Sequence, residues 1–217
     1  MKKLLLLVVV VVSFLSFNAF AQTSKDSEAV KKTFQNFRTA VLNKDGALAA
    51  KQVDASTIKY YAKVLDWTWY ADTTIIDSLN VLDRLAVLNL RHRVSKDRLL
   101  QLKDAKDLIK LSVDSGYFSE HSVKDFEIGN VAVKVKEGIA KGQARVNGKD
   151  ISLFFKFIKE QDVWKLQLTE TLMMAGKGME QDIKRQEKNE NEYIWTYLIL
   201  ESGKNVAPDI IEPLKKR

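Results

Sequence analysis

Ala140-Lys141-Gly142-Gln143-Ala144-Arg145-Val146-Asn147-Gly148-Lys149-Asp150-Ile151-Ser152-Leu153-Phe154-Phe155-Lys156-Phe157-Ile158 is the stretch in which the periodicity of the chain is plainest. Ala140, Gly142, Ala144 and Val146 alternate with Lys141, Gln143 and Arg145, the period-2 pattern of a strand buried on one side. Asn147-Gly148 favours a type I′ turn, because both central residues of that turn take positive φ. Beyond it Ile151, Leu153, Phe155 and Phe157 form a second apolar row. A turn over 160–162 leads to a third row, Trp164, Leu166 and Leu168. The pattern is an antiparallel meander, and it predicts that Phe155, Phe157, Trp164, Leu166 and Leu168 lie on a helix-covered side with Phe34, Phe37 and Leu65.

Upstream, the strand near Phe126 to Lys136 changes parity. Phe126 and Ile128 are even, whereas Val131, Val133 and Val135 are odd, with Gly129-Asn130 between them. One bulge there restores the face. Residues 26 to 116 read as helices. Val30, Phe34, Phe37 and Val41 form an apolar stripe at helical spacing, which Asp45-Gly46 ends. Ala47 to Val53 follows as a short helix. Ser56 then reads as the N-cap of a helix carrying Ile58, Tyr61, Ala62, Leu65 and Trp69 on one face and Tyr60, Val64 and Trp67 on another. Leu79, Leu82, Ala86 and Leu90 mark a further helix, and Ser95 and Asp104 read as caps of two more. After Met174 the chain turns Gly- and charge-rich, then Met179, Ile183, Tyr193, Ile194, Tyr197 and Leu198 fit one long helix. The run Tyr193 to Leu200 is too apolar to stay in water, so it docks on the body or forms a contact between two copies.

The other end carries an export pattern. Lys2 and Lys3 precede an apolar run from Leu4 to Phe17, and Ala19-Phe20-Ala21 is a small-x-small cleavage site. Cleavage between Ala21 and Gln22 is expected, since the run is shorter than the about 20 residues a membrane span needs. The chain has no cysteine, which excludes disulfides, thiolate metal sites and thiol nucleophiles. Losing Lys2 and Lys3 lowers the formal charge from +7 to +5. That is mildly basic and gives no reason to expect nucleic acid as a partner. The expected organisation is a signal peptide over 1–21, an α+β domain over 22–172, and a C-terminal helical extension with a basic tail over 173–217. The mature chain, with no membrane-spanning segment, is expected in the periplasm or outside the cell.

This order, helices first and then a meander closing on a Trp-Lys-Leu strand, resembles the nuclear transport factor 2-like superfamily, which includes SnoaL-like proteins and ketosteroid isomerase. The likeness rests on the opening helix Ala29 to Lys44, the Asp45-Gly46 break with Ala47 to Tyr61 behind it, and the strands Ala140 to Val146, Ile151 to Ile158 and Val163 to Leu168. It spans roughly 30–170. It implies helices packed on a curved, cone-like antiparallel sheet, with the C-terminal helix as an addition. Residues 75 to 116 read as helical where that fold has an early hairpin.

The chemistry-bearing residues are few. His92 and His121 are the only histidines, and neither has metal-ligand spacing, so no metal site and no cofactor are expected. There is no G-x-S-x-G elbow, and Gly176-Lys177-Gly178 lacks the spacing of a phosphate loop. His92 continues the line of Val81, Leu85 and Leu88, which makes it a hydrogen-bonded boundary histidine or a general base. The resemblance implies an acid or base and a tyrosine in an apolar pocket. Asp66, with Tyr60, Tyr61 and Trp67 nearby, is the available constellation, and burial would raise its carboxyl pKa. The competing reading has the aromatics filling the core and Asp66 facing water. On the far side of the sheet, Lys141, Arg145, Lys156 and Lys165, joined by Lys134 once the bulge is placed, gather as a basic face, either solvated dressing or an anion-binding surface. The reading is therefore an exported, non-catalytic module that binds a small apolar ligand or a partner protein. The alternative is a SnoaL-like enzyme using Asp66 or His92.

Overall fold

A computed structural model describes residues 24–117 and 123–216; the cleavage site and His121 lie outside them. The described chain is α+β, with helices before and after a four-stranded antiparallel sheet. Its contacts divide it into two units, one containing the residues up to Asp54 with the sheet, the other running from Ala55 to Tyr117 and from Leu168 onward.

In the first unit α1 runs over 24–42 and α2 over Gly46–Gln52. The break between them is made by Lys44 rather than by Gly46. Lys44 takes φ 55, and the amides of Lys44 and Asp45 donate to the carbonyls of Val41 and Ala40 at 3.1 and 2.8 Å. That is the Schellman pattern, satisfying two carbonyls that a helix end leaves free. Asp45 then caps α2, its carboxylate accepting from Leu48 N at 2.9 Å.

The sheet has the order β1-β2-β3-β4, with β1 Phe126–Lys134, β2 Ile139–Val146, β3 Lys149–Glu160 and β4 Val163–Gln167. Asn147 and Gly148 take φ 50 and 75, the double positive φ that the dipeptide predicts. The β1 bulge lies where the parity changes: Ile128 pairs with Ala144, and Val131 with Gly142. Gly142 is required, because a Cβ there would meet Ile128 Cγ2 at 2.7 Å and Phe157 Cε2 at 3.2 Å. Ala140, Ala144, Phe155, Phe157, Trp164 and Leu166 are buried, as are Val30, Phe34, Phe37 and Val41 of α1. The Phe34 and Phe155 rings lie 4.7 Å apart, and Thr33 Oγ1 donates to Trp164 O, so α1 lies on this side.

Asp26 fixes the start of α1. Its carboxylate is 4 % exposed and accepts from Lys159 Nζ at 3.1 Å and Trp164 Nε1 at 2.9 Å. One apolar position departs from the alternation, since Ile151 is exposed. Between the pairs Gln143↔Phe154 and Arg145↔Asp150, Ala144 of β2 faces three residues of β3, and Ile151 lies within that irregularity.

The second unit holds α3 Ala55–Tyr70, α4 Thr73–Ser78, α5 Val81–Arg93, α6 Lys96–Gln101, α7 Ala105–Asp114, α8 Thr169–Arg185, α9 Glu190–Ser202 and a 3-10 turn, Pro208–Ile211. Ser56 lies inside α3, which starts at Ala55, two residues earlier than a cap at Ser56 requires. The single long C-terminal helix is two helices. Glu187 takes φ 52, and the amides of Glu187 and Lys188 reach back to the carbonyls of Lys184 and Ile183, a second Schellman end made without glycine. Asn189 then caps α9 through Asn191 N. α8 also begins at Thr169, so Gly176 and Gly178 lie within a helix. Ile194 and Leu198 of α9 are buried with Leu85, Val87 and Leu88 of α5. The apolar run docks through these two side chains, while Leu200 is 77 % exposed. Among the described residues no helix is long and apolar enough to cross a membrane.

Candidate functional site: a cleft beside Tyr60

Thr169, Leu172, Met173, Gly176, Lys177 and Glu180 recur at spacings of three, one, three, one and three, a single stripe along α8. That stripe faces the start of α5 and Tyr60 of α3 across a cleft of about 330 Å³, which Asn80, Leu82 and Asp83 complete. All of these residues belong to the second unit.

The polar floor is built around a helix start. Asn80 caps α5, its Oδ1 accepting from Asp83 N at 3.0 Å, and its Nδ2 returns a hydrogen bond to Asp83 Oδ2 at 2.7 Å. This is a reciprocal cap of the N-cap and N3 residues, in which the first-turn carboxylate also meets the positive end of the helix dipole. The Tyr60 hydroxyl donates to the other oxygen, Asp83 Oδ1, at 2.8 Å. Burial, followed by the Asp83 charge and this hydrogen bond, raises the Tyr60 phenol well above its ordinary value. The group therefore stays protonated at every physiological pH and acts as a fixed donor. Each Asp83 oxygen accepts one hydrogen bond, so about half of the carboxylate's acceptor capacity is already used. Leu82, Leu172 and Met173 supply the apolar wall, and the exposed Lys177 and Glu180 stand with opposite charges along it.

All three aromatics singled out by sequence pack on the cluster of Val64, Leu65, Leu90, Leu108 and Leu111, and the Tyr60 and Tyr61 rings meet edge-on at 5.5 Å, but of the three Tyr60 alone lines the cleft. Desolvation pushes the Tyr61 hydroxyl up to about 12. Neither Asp66 nor His92 lines the cleft. Asp66 is half-buried on α3. His92 sits in the last turn of α5, with Nε2 2.7 Å from Ser202 Oγ. Asn80, Asp83 and the α8 stripe were missed. The N-cap-to-N3 spacing of Asn80 and Asp83 was a readable signal, while the two glycines disguised α8.

The basic face is partly spent locally. Lys141 is exposed and directly opposite Lys156, and Lys165 pairs in register with Ile158. Arg145, however, is held by Asp150 at 2.7 Å, Lys134 by Glu137 at 3.1 Å, and Lys165 Nζ donates to Lys51 O. Among the described residues no group of three or more His, Asp or Glu side chains could hold a metal ion.

The His92 ring is held below its ordinary value by burial first, then by the Arg93 and Lys204 charges. With the folded pKa lower than the unfolded one, the unfolded chain binds the proton first. This contribution is absent above neutral pH, and stability falls as the pH drops through about 6.5 toward the folded value. Urea midpoints between pH 7.5 and 5 should therefore fall more steeply for the natural chain than for His92→Gln. Parallel curves would show that His92 carries none of the acid sensitivity.

No family model, curated protein or solved structure matches the chain.

Proposed function

We propose that the chain is an exported, non-catalytic binding module whose small-ligand site is the cleft beside Tyr60. The observation that carries this reading is the joining of an apolar wall, Leu82, Leu172 and Met173, to the Tyr60–Asp83–Asn80 cluster, whose members already satisfy one another. Such a site offers shape, apolar contact and a few oriented polar edges, which is what small-molecule recognition requires. Acid-base catalysis needs a group that exchanges a proton at working pH, and the Tyr60 phenol, held well above its ordinary value, does not supply one. Export rests on the Ala19-Phe20-Ala21 pattern. Membership of the nuclear transport factor 2-like superfamily is part of the same proposal, supported by the order of helices and meander.

The test uses N-phenyl-1-naphthylamine, a neutral apolar fluorophore. Its emission should rise saturably with one site per chain. Met173→Trp, at a position 56 % exposed and so tolerant of bulk, should fill the cleft and weaken binding at least tenfold. Equal binding by the two proteins overturns the assignment of the cleft.

A further inference from the structure

A second groove, of about 220 Å³, lies between α1 and the edge strand β1, and it combines features the Tyr60 cleft lacks. Lys31, Phe34, Gln35 and Arg38 fall at i, i+3, i+4 and i+7, so one face of α1 lines it. Phe126, Glu127 and Ile128 line it from β1. All of these residues belong to the first unit. Phe34 and Phe126 both rest on the Phe155 ring, at centroid distances of 4.7 and 5.8 Å, so the aromatic part of the groove is fixed by the sheet core.

The charges above this apolar surface are uneven. Arg38 is held in place because its Nε and Nη2 both donate to Lys124 O, an anchor that uses one edge of the guanidinium and leaves Nη1 outside it. Lys31 has Glu28 as a partner at 3.5 Å, with the Lys31 side chain partly exposed and Glu28 largely so, a loose pair of little worth in water. Glu127 is the acid in the lining. It stands opposite Arg145 in the β1–β2 register, where the hydrogen bond and charge of Asp150 act on the guanidinium first and Glu127 adds less. Lys31 is loosely matched by Glu28, whereas Arg38 pairs with no acid among the described residues, so the anchored Arg38 is the cation that carries the case for an anionic head. A planar anionic head suits an anchored arginine, and an apolar tail suits the phenylalanines and Ile128. The volume lies below the about 300 Å³ at which drug-sized pockets begin, which restricts the tail to a short chain.

We propose that the α1–β1 groove binds a short-chain carboxylate amphiphile, with its head between Lys31 and Arg38 and its acyl tail against Phe34, Phe126 and Ile128. This site is independent of the Tyr60 cleft.

Octanoate is the probe, with octylammonium as the charge-reversed control, both followed by backbone amide shifts of the full mature chain. Octanoate should move the amides of 31–38 and 126–128 and bind at least tenfold more tightly than octylammonium. Raising the salt should weaken the octanoate complex as the head-group attraction is screened. Arg38→Gln should weaken it tenfold or more. Because Arg38 also holds the segment at Lys124, Lys31→Gln is the second variant; Lys31 bonds only to Glu28 among the described residues, and its replacement should weaken octanoate at least threefold with no change in unfolding midpoint. Equal affinity for the two probes, unchanged octanoate binding in Lys31→Gln, or shifts confined to other residues would overturn the proposal.

Discussion

Replacing Phe157 with alanine should destabilise the chain by about 3 to 5 kcal/mol, the range for removing a fully buried aromatic side chain. Phe157 has no exposed surface. It sits in the middle of the sheet, in register with Ala140 on one side and Leu166 on the other. Its ring lies over Gly142, whose missing side chain makes the room for it. Both neighbouring strands are hydrogen-bonded on the flanks of β3, so the cavity has little freedom to collapse, and the cost belongs in the upper part of the range. Urea unfolding of Phe157→Ala against Phe154→Ala checks this. Phe154, next but two along the strand and 49 % exposed, should cost far less. Similar losses at the two positions would mean that the buried side of β3 is misassigned.

Arg91→Met should cost a comparable amount, about 3 to 5 kcal/mol, for a different reason. Arg91 is 7 % exposed and donates to four carbonyls: Nε to Thr68, Nη1 to Ile210, and Nη2 to Trp67 and Ala71. Three of these lie at the end of α3, where a helix leaves carbonyls without partners and its dipole is negative. One guanidinium thus caps α3 and also ties it to the 3-10 turn near the C-terminus. Burial pushes Arg91 down to about 10, with the Glu212 charge acting in the opposite direction, so it remains charged at neutral pH. Methionine keeps much of the volume and removes every donor. An orphaned buried acceptor costs about 1 to 3 kcal/mol, and water would relieve part of the set. Trp67 O is the least affected, since it also accepts from Ala71 N. Arg91→Lys, which keeps the charge but not the fork, should recover only part of the loss. A loss below 1 kcal/mol for Arg91→Met would show that apolar packing alone holds α3, α5 and the turn together.

How much of this was legible in the sequence depends on the range of the forces involved. Asn147-Gly148 and the alternation around it are local, and both the turn and the buried row at Phe155 and Phe157 follow from them. The bulge at Gly129-Asn130 was legible because a parity change leaves the strand no other way to keep one face buried. Ile151 was not, since it lies inside an irregularity of the β2–β3 pairing that the alternation around it does not announce. The ends of α1 and α8 were misread because lysine and glutamate, not glycine, take the left-handed position there. Arg91 gave no signal: an arginine in the last turns of a helix looks like surface until the end of another helix is brought to it.

The Tyr60 cleft shows the same limit. Tyr60 was singled out as a neighbour of Asp66 on the family resemblance, yet what makes it part of a site is Asp83, 23 positions along the chain, and an α8 stripe more than a hundred positions away. Asp66 and His92 had the right chemistry by residue type, but neither lines the cleft.

The most direct test of the central claim is where a neutral apolar ligand lands. Backbone amide shifts of the mature chain should be recorded while N-phenyl-1-naphthylamine is titrated in. The account predicts shifts concentrated at Tyr60, Leu82, Asp83, Leu172, Met173 and Gly176, lost in Met173→Trp. Shifts centred instead on Asp66 and His92, or spread over the exposed apolar residues of α9 with the cleft amides unmoved, would contradict it.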